Sequence, residues 1–211
     1  GDVVLVTEAP QYRRVIFEKP TDNPLISLII PTRDRSDLLE VCLNSIIKRS
    51  TYANYEILIV DNDSREEKTL ELFERLSKTT GVRIIREDGQ FNFSLLVNRG
   101  AEVAKGSLLC LVNNDIEIIS ADWMEEMASF AMQDHVGCVG ARLWYPEGTL
   151  QHGGVITGIV GGVAGYAHKH SPLGDFGHQG RAILHQEMSA VTAACLMVQK
   201  RVFEEAGGFD E

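Results

Sequence analysis

Leu108-Leu109-Cys110-Leu111-Val112-Asn113-Asn114-Asp115-Ile116-Glu117 decides the fold, because an apolar run suited to a buried strand stops abruptly on two carboxamides and a carboxylate. Strands that read as unbroken apolar runs belong to parallel sheets covered by helices on both faces. In open α/β sheets the carboxyl ends of such strands open into the crevice where ligands bind.

The same pattern recurs upstream. Ile26-Ser27-Leu28-Ile29-Ile30 is closed by Pro31, and a helical spacing follows at Leu38, Val41, Cys42, Ser45 and Ile46, with Ser36 as the expected N-cap. Tyr55 to Val60 ends on Asp61-Asn62-Asp63-Ser64 before a helix carrying Leu70, Phe73 and Leu76. Val82 to Ile85 leads through Phe91-Asn92-Phe93-Ser94 into a helix ending near Gly106. Strands alternating with helices predict an α/β fold with a mostly parallel sheet. Right-handed crossovers then bring the polar strand ends Thr32-Arg33-Asp34, Asp61 to Ser64 and Asn113 to Asp115 to one rim.

Beyond Ser120, an expected N-cap, Trp123, Met127 and Phe130 mark a further helix. Strand-like patterns at Val136 to Tyr145, Leu150 to Thr157 and Met188 to Val198 predict a smaller antiparallel part in the C-terminal half. Between the last two lies a Gly- and His-rich loop, roughly 159–185, of the length used for lids and binding loops. Val3 to Val6 and Arg13 to Phe17 read as a hairpin, and residues 1–24 as an extension with a Pro-bounded linker, Lys19 to Pro24. The main domain is then 25–211. A start on Gly1 and a stop on Asp210-Glu211 suggest a piece of a longer parent protein with other domains.

The 211 residues are 44% hydrophobic, 24% charged and 7% aromatic, enough for one sizeable core. A formal charge of −10 argues against a nucleic-acid surface, which needs a concentrated basic face. Cys42, Cys110, Cys138 and Cys195 lack ligand-like spacing and read as reduced core residues. With no signal segment and no apolar stretch of spanning length, a cytoplasmic setting is expected.

Each polar cluster has two readings. Asn113-Asn114-Asp115 is at home in a turn, but beside the other clusters Asp115 reads as the ligand of a hard cation, Mg²⁺ or Mn²⁺, shared with a diphosphate. Asp61-Asn62-Asp63-Ser64 suits a nucleoside's base edge and ribose, or a capping turn. Arg33 or Arg35 faces either a diphosphate or water. His152, His168, His170, His178 and His185 match no zinc spacing, although His152 or His185 could meet an acceptor.

Ser27 to Arg35, Ile57 to Ser64 and Leu111 to Asp115, in this order and spacing, resemble family-2 glycosyltransferases of the GT-A fold. Phe91-Asn92-Phe93-Ser94, Gln151-His152-Gly153-Gly154, Ala190 to Cys195 and Gly207-Gly208-Phe209-Asp210-Glu211 narrow the likeness to bacterial polysaccharide enzymes, including rhamnosyltransferase-like ones. The resemblance covers about residues 24–211. It implies an inverting transfer from a nucleotide diphosphate sugar to a saccharide or lipid-linked saccharide acceptor, at the inner face of a membrane where the acceptor is carried on lipid.

By position, Pro31, Thr32, Arg33, Asp61, Asn62 and Ser64 would line the donor nucleotide pocket, with Asn92, Ser94, Asn98 and Asn114 at its border and Asp115 on the metal. His152, Thr192, Asp210 and Glu211 would lie on the acceptor side. Asn113 stands where the family often has the first Asp of Asp-x-Asp, which implies weak metal binding until the nucleotide arrives. Asn62 stands where many relatives have Asp and leaves the base open. The family's general base lies several residues past Gly-Gly-Phe-Asp-Glu, beyond Glu211, so negligible turnover is expected of these residues alone. A non-catalytic nucleotide-binding or scaffold module is the alternative. Dinucleotide-dependent enzymes and nucleotidyltransferases fit less well, since Pro31 to Ser36 is no glycine-rich phosphate loop.

Overall fold

Why the strands are buried on both faces follows from what covers them. In a computed structural model describing residues 2–6, 9–18, 20–159 and 161–211, the elements are β1 (Asp2–Val6), β2 (Ala9–Ile16), β3 (Ile26–Thr32), α1 (Ser36–Arg49), β4 (Tyr55–Asp61), α2 (Glu67–Leu76), β5 (Val82–Arg86), α3 (Phe93–Val103), β6 (Leu108–Val112), α4 (Trp123–Ala131), β7 (Cys138–Gly140), β8 (Leu143–Trp144), β9 (Leu150–His152), β10 (Val155–Thr157), β11 (Ala164–Tyr166), β12 (Cys195–Gln199) and α5 (Lys200–Glu205). Gly1, Thr7, Glu8, Lys19 and Val160, which belong to the expected N-terminal extension, its linker and the long loop, lie outside the described residues.

The chain divides into two compact units, residues 1–18 with 139–192 and residues 19–138 with 193–211. In the second unit the strands run in the order β5-β4-β3-β6-β12. β3, β4, β5 and β6 are parallel, and β12 joins β6 antiparallel. Ile26, Leu28, Ile29, Ile30, Leu58, Ile59, Leu108 and Leu109 are fully buried. Each such side chain contributes about 1.5–3 kcal/mol of burial. In the first unit, β1–β2, β8–β9 and β10–β11 are short antiparallel pairs, and the long Gly- and His-rich loop contains β11 and a 3₁₀ turn at His178–Gly180. Among the described residues no helix is long and apolar enough to cross a membrane.

Strand order and ladder length together open a crevice. From β3 the chain moves outward to β4 and β5, then crosses back to place β6 on the other side of β3. The β3/β6 boundary is therefore the switch point where ligands bind in such sheets. The β3–β6 ladder ends at Ile29 with Leu111, while β3 stays paired with β4 through Thr32. Ile26 N bonds Asn54 O and Thr32 O accepts from Asn62 N, so even positions of β3 bond toward β4 and Pro31 faces the β6 side. Proline, with no N–H to give, sits where that ladder has already stopped.

Several local expectations need correcting. Ser36 is the first helical residue of α1 and not its cap; Asp34 and Arg35 take left-handed conformations, with φ of 51° and 53°, and Arg35 occupies the cap position. α4 is preceded by Asp122 at its cap, not Ser120. Val41 and Leu70, read as core-facing, are exposed, and Leu39, Leu43, Thr69 and Leu72 are buried in α1 and α2 instead. Cys42, Cys110 and Cys195 are buried, with burial pushing the Cys42 thiol up to about 12, but Cys138 at the start of β7 is exposed.

Candidate functional site

Register places the rim residues side by side. Thr32 is level with Asp61, and Asp61 with Arg86, across the ends of β3, β4 and β5. On the other side of the crevice Asn114 Nδ2 donates to Thr32 Oγ1 at 2.8 Å, joining the ends of β3 and β6. Thr32, Asp61, Asn62 and Ser64 are buried, and Asp115 is exposed.

Asp61 is committed on both oxygens: Oδ1 accepts from Ser64 N at 3.1 Å and Oδ2 from Arg86 Nη1 at 2.7 Å. Arg86 also donates to Asp63 Oδ1 at 2.6 Å and Asp88 Oδ1 at 2.9 Å. Its guanidinium pKa is held up, first by Asp88 and then by Asp61 and Asp63. Asp63 is held below the usual carboxylate range, chiefly by the bond from Arg65 and then by Arg86. Asp34 Oδ1 accepts from the backbone N–H groups of Glu66 and Arg65, which lower its pKa, and these lie at the entry to α2. Ser64 Oγ accepts from Asp34 N at 2.7 Å, so it ties two loops together and does not cap α2.

Asn62 directs Nδ2 to the carbonyls of Glu87, at 3.1 Å, and Gly89, at 3.3 Å. Two carbonyl partners fix which amide atom is the nitrogen. Its Oδ1 is buried and has no hydrogen-bond partner among the described residues.

The remaining candidates separate. Arg33 is exposed, Pro31 and Ser94 are half-buried, and Asn92 uses Oδ1 to cap α3 at Leu95 N. Asn98 clamps the C-terminal motif: Oδ1 accepts from Phe209 N, and Nδ2 donates to Phe209 O and Glu211 Oε1, each at 2.9 Å. Gly208, at φ 76°, must be glycine here, since a Cβ would lie 2.8 Å from Asn98 Oδ1. Asp210 is exposed. His152 and Thr192 belong to the first unit. His152 is 2% exposed, its Nε2 accepts from Thr192 N at 3.3 Å, and burial pushes its pKa down. Its ring meets Tyr166 edge-on.

Arg86 is the residue that sequence reasoning overlooks. Its signal is a fourth charged strand end, Arg86-Glu87-Asp88, closing the run that begins at Val82. An apolar-lined groove between α1 and α2, bounded by Leu43, Ile47, Leu72 and Leu76, belongs to the helical layer and includes none of the rim residues.

The donor set at the end of β6 suits a hard cation: the Asp115 carboxylate and the carbonyl oxygens of Asn113 and Asn114, the last with its nitrogen already used on Thr32. Among the described residues no cluster of three or more His, Cys, Asp or Glu could by itself cage a metal. One carboxylate completed by substrate phosphates is the arrangement Mg²⁺ commonly takes.

A chain with this rim matches the model of "Glycosyl transferase family 2" over residues 27–207. It is 44% identical over 190 residues to the uncharacterized protein y4gI of Sinorhizobium fredii, covering 90% of this chain and 21% of that protein. It is 37% identical over 193 residues to the O-antigen biosynthesis protein RfbC of Myxococcus xanthus, covering 90% of this chain and 15% of that protein. The chain thus spans about a fifth or less of the length of these relatives. Among solved structures, the mannosyltransferase PcManGT of Pyrobaculum calidifontis, in complex with GDP-Man and Mn²⁺, shares the fold with a TM-score of 0.64 at 16% identity, over 93% of this chain and 50% of that one. From its strand order, its polar rim and the family match, the chain belongs to glycosyltransferase family 2, with a GT-A fold.

Proposed function

We propose that these residues form the donor-binding domain of an inverting glycosyltransferase that takes a nucleotide diphosphate sugar, with Mg²⁺ or Mn²⁺, and extends a bacterial cell-surface polysaccharide. The observation that carries the reading is the crevice at the β3/β6 switch point, closed over by the Thr32–Asn114 bond and edged by the exposed Asp115. Thr32, Asp61 and Asn62 form the nucleoside side. Asn114 and Asp115 would hold the metal, which would in turn help to bind the diphosphate. A divalent cation there would neutralise charge on the departing diphosphate. The similarity to RfbC, an O-antigen biosynthesis protein, supports a saccharide or lipid-linked saccharide acceptor, which would bring the protein to the inner face of a membrane.

A general base needs a free lone pair within reach of the acceptor hydroxyl. His152 spends its Nε2 lone pair on Thr192 N, so we do not propose it as the base, while Glu211 accepts from Asn98 on Oε1 alone.

Calorimetry with Mn²⁺ and a panel of nucleoside diphosphates tests the reading. Metal-dependent binding of at least one, lost in Asp115→Ala, is expected. Binding that ignores the metal or the substitution would sink it.

A further inference from the structure

Phe91 is 59% exposed in the second unit, two residues past Gly89, whose carbonyl Asn62 holds. It immediately precedes the N-cap of α3, where an apolar residue ordinarily packs on the fourth helical residue as a staple. That residue is Leu96, itself buried in the core at 1% exposure, and the Phe91 ring is left largely in water.

The backbone on both sides of Phe91 is fixed. Upstream, Glu87 N donates to Asp61 O, Arg99 pairs with the Glu87 carboxylate at 3.1 Å, and Asn62 Nδ2 holds the carbonyls of Glu87 and Gly89. Downstream, Asn92 caps α3. Only Gln90 and Phe91 lie between these anchors, so the ring is presented from a braced turn. The anchor on the β4 side is the same Asn62 whose Oδ1 is buried without a partner among the described residues. An unmet buried acceptor is costly, and a donor N–H brought in by a ligand would recover that cost.

An exposed aromatic face braced by a buried amide with an unmet acceptor matches what a nucleobase offers: a π-face to stack and N–H groups at its edge. We propose that Phe91 is the stacking platform for the donor's nucleobase and that Asn62 is the positioning residue that braces it. This rests on the donor-site reading above and extends it to a residue outside the metal corner. Base–aromatic stacking, measured by alanine substitution, changes affinity by about tenfold or more, so the effect is large enough to measure.

The test uses the 211-residue chain, Mn²⁺, and two classes of probe: UDP, GDP, CDP and ADP, which carry a base, and inorganic pyrophosphate, which does not. Phe91→Ala should weaken the best-bound nucleoside diphosphate about tenfold and leave pyrophosphate within about twofold. Phe91→Trp should restore the affinity, and its fluorescence should respond to the nucleotide but not to pyrophosphate. In a double-substitution cycle, Asn62→Asp, which removes the two bracing donors, should cost less when Phe91 is already Ala. Unchanged nucleotide affinity in Phe91→Ala, an equal loss for pyrophosphate, or strict additivity in the cycle would each overturn the proposal. If the unsubstituted chain binds pyrophosphate and every nucleotide alike, or none of them, the donor-site reading falls with it. If it binds nucleotides selectively and Phe91→Ala does so equally well, only the stacking role falls.

Discussion

Asp61 and Arg86 form an ion pair of 2.7 Å across paired strand ends, the carboxylate 1% exposed and the guanidinium 43% exposed. The pair is therefore buried on one side only. Removing Arg86 would leave Asp61 with a buried, uncompensated charge, whereas the Arg partner could always be solvated.

Arg86→Ala is expected to destabilise the chain by about 2 kcal/mol, below the roughly 3–5 kcal/mol seen when fully buried pairs are broken, because water already screens the guanidinium. Arg86→Lys should recover only part of this, since a single ammonium cannot serve Asp61, Asp63 and Asp88 together as the forked guanidinium does. Urea unfolding of the three proteins at neutral pH checks the order. Equal stability of Arg86→Ala and the parent would mean that water satisfies Asp61.

The proposed metal corner yields a gain-of-affinity prediction. Asn113 is held through its backbone, N donating to Ala194 O at 2.9 Å and O accepting from Cys42 Sγ at 3.6 Å, so its side chain can change without moving the strand end. Asn113→Asp adds a second carboxylate beside Asp115. Mn²⁺ binding without nucleotide should tighten about tenfold, or about 1.4 kcal/mol, as titration by calorimetry or by the metal's paramagnetic effect on water would read. No change would place the Asn113 side chain outside the metal's reach.

How much of this was legible in the sequence depends on what each residue's neighbours are. The parallel strands can be read because an apolar run ending on polar residues is a local pattern, and the same pattern puts Thr32, Asp61 and Asn114 at the rim where the fold brings them together. What those side chains do was not legible. Asp61's partner lies 25 positions away in β5, and the Asn62 amide is spent on carbonyls of a loop that only the fold brings near. Asn98 reads as a donor-border residue by position, yet in the fold it clamps Phe209, more than a hundred positions on. Cap positions failed for a similar reason: the left-handed turn at Asp34-Arg35 is stabilised by Ser64 and Glu66, not by its own sequence.

Gly100 shows the same dependence on packing. In the middle of α3 a glycine would ordinarily be improved by alanine, by roughly 0.5–1 kcal/mol. Here a Cβ would lie 2.5 Å from Ile29 Cγ2 and 3.2 Å from Val60 Cγ2, because the helix rests directly on β3 and β4. Gly100→Ala should therefore destabilise the chain by about 1–2 kcal/mol through overpacking. Combined with Ile29→Ala, which makes room, the two costs should sum to less than their separate values. A stabilised Gly100→Ala would show that α3 can lift off the sheet without loss.

His152 supplies a pH dependence in the first unit. Burial lowers its pKa from the ordinary 6.5, so the unfolded chain takes up a proton there before the folded chain does. Linkage then requires its contribution to stability to be complete above about pH 6.5 and to be lost as pH falls toward the depressed folded value. The proton on the neutral ring sits on Nδ1, because Nε2 accepts from Thr192 N, and protonating Nε2 would break that bond. In His152→Gln an amide oxygen can accept from Thr192 N at any pH, but the edge-on contact with Tyr166 is lost. The variant should be about 1 kcal/mol less stable at pH 7.5, with a shallower decline in urea midpoint between pH 7.5 and 5.5 than the parent. Parallel declines in the two proteins would mean that His152 charges as readily in the folded chain as in the unfolded one.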